Sequence, residues 1–298
     1  MKNINNDLFN QYIILKKYLN EEEKIEIEKL EDICKKYDEV ILKLELDYKN
    51  KLEKDYKNNI NEINEFLYYS NKELIGYASI SCFNGNVAEI NGMVHPEFRR
   101  NGIFTKVIDL VLNECKKRSF SEILLLCDDK SDSGRNFIEY FNGKYSFSEC
   151  RMNCKELNFN SVDERIKFKK ANNKDINKIN ELNRLFFGEG CNEKILPEDE
   201  ERNGAITYLI CLSDEVIGKI KVTKEFNGAY ISGFGILPKY RGMGYGKRSI
   251  IKVLKKLNEE KITNITLDVE IKNKNALNLY KSCGFKEESI INYYRIYI

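Results

Sequence analysis

The 298-residue chain is predicted to fold as two tandem α/β domains, each a mixed, mostly antiparallel sheet flanked by helices. Three observations predict it. Strand-like runs alternate with helical runs after an antiparallel start, the order that builds a mixed sheet with helices packed on it. The pattern Pro-x-aromatic-Arg-x-x-Gly occurs twice: Ile236, Pro238, Tyr240, Arg241 and Gly244 fall on Val94, Pro96, Phe98, Arg99 and Gly102 at a constant offset of 142. The length accommodates two domains of ordinary size.

Taken in order, Asp7 to about Asn59 is rich in Leu, Ile, Glu and Lys at helical spacing and has no Pro or Gly. It predicts two or three amphipathic helices covering one side of the first domain, or a charged helical arm for a partner. Asn64–Tyr69 and Leu74–Phe83 read as paired strands joined at Ser70-Asn71-Lys72. Val87–Val94 is the next strand and Phe104–Arg118 the next helix. Ile123–Cys127 is continuously apolar, as suits a strand buried on both faces. The pattern breaks around Glu156–Glu164, which places the boundary between domains 1–160 and 161–298. The second domain reads as a strand from Arg165 to Lys169, a helix from Asp175 to Phe187 and an acidic, turn-rich stretch from Gly188 to Asn203. Strands follow at Ala205–Leu212 and Val216–Val222, then at Ala229–Ile236. A helix at Ser249–Leu257, a strand at Ile265–Ile271, a helix at Asn275–Cys283 and a last strand at Ile290–Ile298 complete it.

Composition narrows the function. Forty-nine basic against 47 acidic residues, with no block of one sign, argue against a dedicated nucleic-acid or membrane-surface protein. Nine widely spread cysteines read as reduced thiols in a cytoplasmic protein. No metal site is expected, because Cys150-x-x-x-Cys154 has no second pair or nearby histidine to complete it. The N-terminus is polar rather than signal-like, and no run of 18 apolar residues spans a membrane. The single histidine, His95, lies beside Pro96 and reads as a turn residue.

The chemistry concentrates at Arg241-Gly242-Met243-Gly244-Tyr245-Gly246-Lys247, between a strand and a helix. Glycines there permit left-handed backbone and close approach to a ligand, and the helix start offers unpaired N–H groups to a phosphate. Downstream come Leu267-Asp268-Val269, then Asn273-x-x-Ala276-x-x-Leu279-Tyr280, then Gly284-Phe285. Loop, Asn, Tyr and Gly-Phe in this register resemble the GNAT superfamily of acetyl-CoA-dependent N-acetyltransferases, in detail over about the last third of the chain. With the upstream repeat, the chain resembles a tandem member.

The resemblance implies acetyl-CoA as co-substrate, with a primary amine of a small molecule, peptide or protein as acceptor. It implies that the amides of Gly242, Met243, Gly244, Tyr245, Gly246 and Lys247 hold the cofactor diphosphate, aided by Arg241. Phe234, Gly235, Ile236 and Leu237 are expected to pair with the pantetheine arm as a ligand pairs with an open sheet edge. Asn273 reaches the same arm or caps its helix, or does both. Tyr280 is the expected proton donor to the departing thiolate, and an N–H at or beside Ile236 the expected oxyanion donor. Asp268 is the candidate base, with Glu270 on the same strand face as an alternative. The acidic stretch from Glu189 to Glu201 either flanks the acceptor groove or is a solvated loop.

The two copies are not equivalent. Gly246 falls on Phe104, Asn273 on Ser131 and Tyr280 on Ile138, which leaves the upstream copy without a proton donor. The expectation is a degenerate first copy, acting as scaffold or clamp, and a catalytic second one. The competing reading is a protein that binds acyl-CoA without turnover.

Overall fold

The computed structural model describes residues 10–46, 49, 62–83, 86–155, 165–188, 195–225 and 228–297. The elements run β1 (Gln11–Lys16), α1 (Glu21–Asp38), β2 (Glu65–Ser70), β3 (Glu73–Ser81), β4 (Val87–Val94), α2 (Ile103–Lys117), β5 (Glu122–Asp128), α3 (Asp132–Tyr140) and β6 (Lys144–Cys154). They continue as β7 (Ile166–Lys170), α4 (Ile176–Phe187), α5 (Pro197–Arg202), β8 (Ala205–Leu212), β9 (Glu215–Glu225), β10 (Gly228–Ile236), α6 (Tyr245–Glu259), β11 (Ile265–Glu270), α7 (Lys274–Ser282) and β12 (Lys286–Ile296). Two compact units emerge, Met1–Ser148 with Ser289–Ile298, and Glu149–Glu288.

In the first unit the strands lie in the order β1-β2-β3-β4-β5-β12, and in the second β6-β11-β10-β9-β8-β7. Only β4 with β5, and β10 with β11, run parallel; the other pairings just named are antiparallel. Each unit is therefore the expected mixed, mostly antiparallel sheet with helices packed on it.

The helices form where apolar residues recur at helical spacing. Val107, Ile108, Val111 and Cys115 of α2 are fully buried in the first core, and Ile250, Val253, Leu254 and Leu257 of α6 are buried in the second. Helix α1 starts at Asn20, whose side chain accepts from the Glu23 amide while Glu23 accepts from the Asn20 amide.

Four features depart from the sequence reading. Gln11–Lys16 is a strand rather than helix, since Tyr12-Ile13-Ile14 favours a pleat and pairs with Tyr69, Tyr68 and Leu67. After α1 the chain turns left-handed at Glu39 (φ 55°) and residues 40–45 run non-helical; the rest of the helical stretch foreseen to Asn59 lies almost wholly outside the described residues. Part of the acidic stretch is helix α5, begun by Pro197; residues 189–194 of it are not described.

The largest departure concerns the division into 1–160 and 161–298. The break at 156–164 lies outside the described residues, but the strands on either side are exchanged. Residues 149–154 of β6, a strand absent from the sequence reading, pair with β11 of the second unit. Conversely, Ile291–Ile296 of the final strand pair with Asp128–Ile123 in the first unit. Burial explains the placement: Ile291 and Tyr293 pack with Leu124, and Ile296 joins the first unit's main core.

Candidate active site

The second unit's strands β10 and β11 part company early. Ala229 pairs with Ile265 and Tyr230 with Thr266, and the ladder between them ends there. Beyond Tyr230 both strands continue and the facing edge of β10 is open. A bulge in β10 against β9, between Ser232 and Gly235, reshapes this edge. Gly233 takes φ 55° in the bulge, and a Cβ there would approach the Lys219 amine at 2.9 Å. First-unit strand β4 pairs with β3 without interruption, so the bulge belongs to the second copy alone.

Of the four residues expected to pair with a ligand arm, two are committed elsewhere. The Leu237 amide donates to Ile217 O (2.8 Å), its carbonyl accepts from Tyr240 N (2.9 Å), and Gly235 sits opposite Lys219 in the β9 ladder. Successive residues of a strand turn their peptide groups to opposite sides, so Ile236 directs its N–H to the open side. Its carbonyl is there, accepting Arg241 Nε at 2.8 Å. Phe234 faces the core and packs near Tyr280, with ring centroids 6.5 Å apart.

Gly242 (φ 76°) and Gly244 (φ 79°) give the loop the left-handed turns anticipated from sequence. Left-handed residues alternating with right-handed ones cup their N–H groups around an anion. A Cβ on Gly242 would meet nothing within 4 Å, so the loop stands open. The first bond of α6 is Arg248 N to Gly244 O (3.2 Å), which leaves the amides of Tyr245, Gly246 and Lys247 without a carbonyl on their own helix. The residues suit a diphosphate: convergent amides, a helix N-terminus and no acid in the first turn.

At the base of the opening, Asn273 caps α7 by accepting from the Ala276 amide (3.1 Å), which leaves its Nδ2 hydrogens for a ligand. Tyr280 is 8% exposed and packs against Phe285 with centroids 5.8 Å apart. Burial pushes its phenol up to about 12, so it stays protonated, and its hydroxyl has no hydrogen-bond partner among the described residues. The ring is buried while the hydroxyl, which is not among the fully enclosed polar atoms, is left to donate to a ligand.

Asp268 is on the opposite face from Tyr280, since Leu267 and Val269 on either side enter the core. Its carboxylate is gripped by the cross-strand Arg151, with Nε and Nη2 each donating at 2.9 Å, and the Tyr230 hydroxyl donates to Oδ2 at 3.2 Å. A carboxylate held in a guanidinium fork is a weak proton acceptor, because the charged form is stabilised. Glu270 pairs with Lys272. The sequence reading missed Arg151, Tyr230 and Lys219. Arg151 was hidden because β6 precedes the expected boundary. Lys219, fully buried beside the bulge with its amine 5.5 Å over the Phe187 ring, had only its place in an apolar run as a signal. Among the described residues no group of His, Cys, Asp and Glu is placed to hold a metal ion.

The equivalent corner of the first unit keeps the backbone and changes the side chains. Arg100 (φ 64°) and Gly102 (φ 71°) reproduce the turns of Gly242 and Gly244, and Arg99 Nε reaches Val94 O as Arg241 reaches Ile236 O. Ser131 caps α3 through the Gly134 amide, as Asn273 caps α7. The Phe104 ring lies on Gly92, where an added Cβ would be 2.5 Å from it, and edge-on to Phe137 at 4.7 Å. In the second unit the ring comes from the strand instead: Phe234 stands where Gly92 does, and a Cβ added to Gly246 would lie 3.8 Å from its ring. Glycine and phenylalanine have exchanged sides of one contact. The loss of a small residue at 104 is thus compensated, whereas Ile138, buried in the core, gives nothing in place of the Tyr280 hydroxyl.

Comparison with known proteins agrees with this geometry. The family model for the acetyltransferase (GNAT) family matches residues 27–141 and 176–285. An N-alpha-acetyltransferase of Sulfurisphaera tokodaii is 25% identical over 133 residues, which cover 40% of this chain and 80% of that protein. N-alpha-acetyltransferase 30 of Xenopus laevis is 30% identical over 95 residues, 30% of this chain and 35% of the relative, so the match spans about a third of that relative's length. Among solved structures, a GCN5-related N-acetyltransferase from Sphaerobacter thermophilus matches with a TM-score of 0.73 at 15% identity, over 95% of both chains. A tandem GNAT protein from the clavulanic acid biosynthesis pathway matches with 0.71 at 12% identity, over 96% of this chain and 98% of that one. At these identities the structural matches speak to fold.

Proposed function

The chain belongs to the acetyltransferase (GNAT) family, and on that premise we propose that its second unit transfers the acetyl group of acetyl-CoA to a primary amine by direct attack. The observation that carries the reading is Tyr280, a buried ring whose protonated hydroxyl has no partner among the described residues, in the unit whose loop and strand edge are also open.

Acetyl-CoA supplies the activated acyl group as a thioester. The amides of Gly242 to Lys247 hold its diphosphate, with Arg241 and the α6 N-terminus adding positive potential. The outward backbone of Phe234 and Ile236, together with Asn273 Nδ2, aligns the pantetheine arm along β10. The Ile236 N–H meets the charge that develops on the acyl oxygen, and the Tyr280 hydroxyl donates to the departing sulfur.

The acceptor amine enters on the other face, where Tyr230 and Asp268 lie. Tyr230 donates its proton to Asp268, and a phenol oxygen that donates one bond has the chemistry to accept one from an amine N–H. Asp268, anchored by Arg151, fixes that orientation. An α-amine, with a pKa near roughly 8, loses its proton to water readily, whereas a lysine near roughly 10.4 needs a stronger base than this cluster offers. The amino terminus of a peptide is therefore the first acceptor to test, in keeping with the relatives named N-alpha-acetyltransferase. No helix among the described residues is long and apolar enough to cross a membrane.

The test is thiol release from acetyl-CoA with a panel of peptides, free lysine and polyamines. Turnover with a peptide α-amine that Tyr280→Phe removes supports the reading. Binding of acetyl-CoA with no turnover on any amine leaves the non-catalytic alternative in its place.

A further inference from the structure

The first unit contains a cavity of about 650 Å³, well within the range of small-molecule sites. Its two ends differ in chemistry. At one end are the Arg99, Arg100 and Gly102 loop and the start of α2, with Ser131 and Ser133 across from it. The amides of Ile103, Phe104 and Thr105 have no carbonyl on their own helix, since the first α2 bond is Lys106 N to Gly102 O (3.1 Å). At the other end the lining is apolar: Val40, Leu42, Ile90, Met93, Leu126 and Ile138.

Residues 39–46 cross the fork between β4 and β5 at the apolar end, where Val40 and Leu42 line the cavity. The ladder of β4 and β5 stops at Ile90 and Leu125. Just beyond it, Asn91 on β4 donates to Lys43 O (2.5 Å), and the Ile41 amide donates to Asp128 Oδ2 at the end of β5 (3.0 Å). Lys43 Nζ adds a bond to the Tyr293 hydroxyl (2.7 Å). Three strands of the first unit therefore hold the strap in place.

The face beneath has changed to match. Second-unit positions Thr266 and Asp268, half-buried and polar, correspond to Leu124 and Leu126. The polar pair of the second unit therefore has an apolar counterpart here, and Ile138 stands where Tyr280 does.

We propose that the first unit is a binding site for a medium-chain acyl thioester of coenzyme A, which it holds without transferring. The diphosphate lies on residues 99–105, the arm runs along the open edge of β4 past the Phe104 ring, and the acyl chain fills the chamber under Val40 and Leu42. This rests on reading the same loop in the second unit as a diphosphate site.

Isothermal titration of the full chain with coenzyme A, acetyl-CoA and octanoyl-CoA tests it. Octanoyl-CoA is expected to fill two sites per chain. In Gly244→Asp, which places a carboxylate in the second-unit loop, one site remains and binds octanoyl-CoA at least tenfold more tightly than coenzyme A. Leu42→Trp, which fills the chamber, is expected to abolish that preference in the Gly244→Asp background. If either variant fails to fold, hydrogen exchange on the native chain decides, with octanoyl-CoA slowing residues 39–46 more than coenzyme A does. A single site per chain that Gly244→Asp removes, equal affinity for the two ligands, or identical exchange in the strap overturns the proposal. Gly244→Asp retaining both sites and full turnover would instead overturn the second-unit reading while leaving the first-unit site intact.

Discussion

Tyr280→Phe separates chemistry from architecture more cleanly than any other change in the second unit. The ring keeps its contacts with Phe234 and Phe285. The hydroxyl that disappears bonds to no described residue, so its removal breaks no hydrogen bond within the protein. Stability is expected to stay level or rise by up to about 1 kcal/mol, or up to about 4 °C in melting temperature. Loss of a positioned proton donor is expected to lower kcat by about 10²–10⁴. Alkaline pH supplies an internal control. The folded phenol sits at about 12 and the unfolded one near 10, so the unfolded state ionises first. Stability tied to the neutral phenol is therefore complete below pH ~10 and lost between about 10 and 12, a difference of roughly 2–3 kcal/mol that the phenylalanine variant does not suffer. Steady-state thiol release and differential scanning fluorimetry from pH 7 to 11 read the first effect and the first half of the second, roughly 1.4 kcal/mol by pH 11. A kcat within about threefold of native would refute the proton-donor role. A melting temperature lowered by more than about 5 °C would refute the account of an unpartnered hydroxyl.

Asp268→Asn takes the charged acceptor out of the Arg151 fork, where the guanidinium is 23% exposed, and is expected to cost about 1–3 kcal/mol in chemical denaturation and about tenfold in kcat/KM. Stability unchanged within ~0.5 kcal/mol would show that the fork contributes nothing. Tyr230→Phe is expected to raise KM for the amine while leaving binding of coenzyme A untouched by calorimetry; equal damage to both would place Tyr230 in the cofactor site instead. Gly244→Ala keeps the loop free of clashes, its Cβ lying 3.6 Å from Arg248, but forces alanine to φ 79°. The strain of about 1–2 kcal/mol is expected to appear as weaker coenzyme A binding, by about tenfold, and unaltered affinity would show that the left-handed turn is not needed. Truncation after Glu288 removes the residues that pair with Asp128–Ile123 and is expected to unfold the first unit, seen as lost exchange protection in β5; retained protection would contradict the exchanged pairing.

Much of the catalytic corner was legible because it is local. Gly242 and Gly244 serve a backbone conformation, Asn273 caps the helix it precedes, and Tyr280 lies two turns further along that helix, so sequence spacing carries the geometry. What escaped was nonlocal. Arg151 reaches Asp268 only because β6 crosses into the second unit's sheet, and Tyr230 acquires meaning only once β10 lies beside β11. The apparent defect at Phe104 was read against one position, whereas the compensation lies at Gly92, on a strand paired through a different register. Gln11–Lys16 sits in a stretch whose Leu, Ile, Glu and Lys spacing predicts helix, and its pairing with β2 makes it a strand.

The exchanged strands also set a clock on biosynthesis. Asn292 bonds to Asp129, a residue 163 positions earlier in the chain. At about 5–20 residues per second, a ribosome takes roughly 8–30 s to make the intervening stretch, longer than most domains of this size need to fold. Through that interval the nascent first unit carries an uncovered strand edge, the kind of surface that invites aggregation and chaperone capture. Rare codons between positions 130 and 290 should therefore depress soluble yield more than the same codons placed upstream.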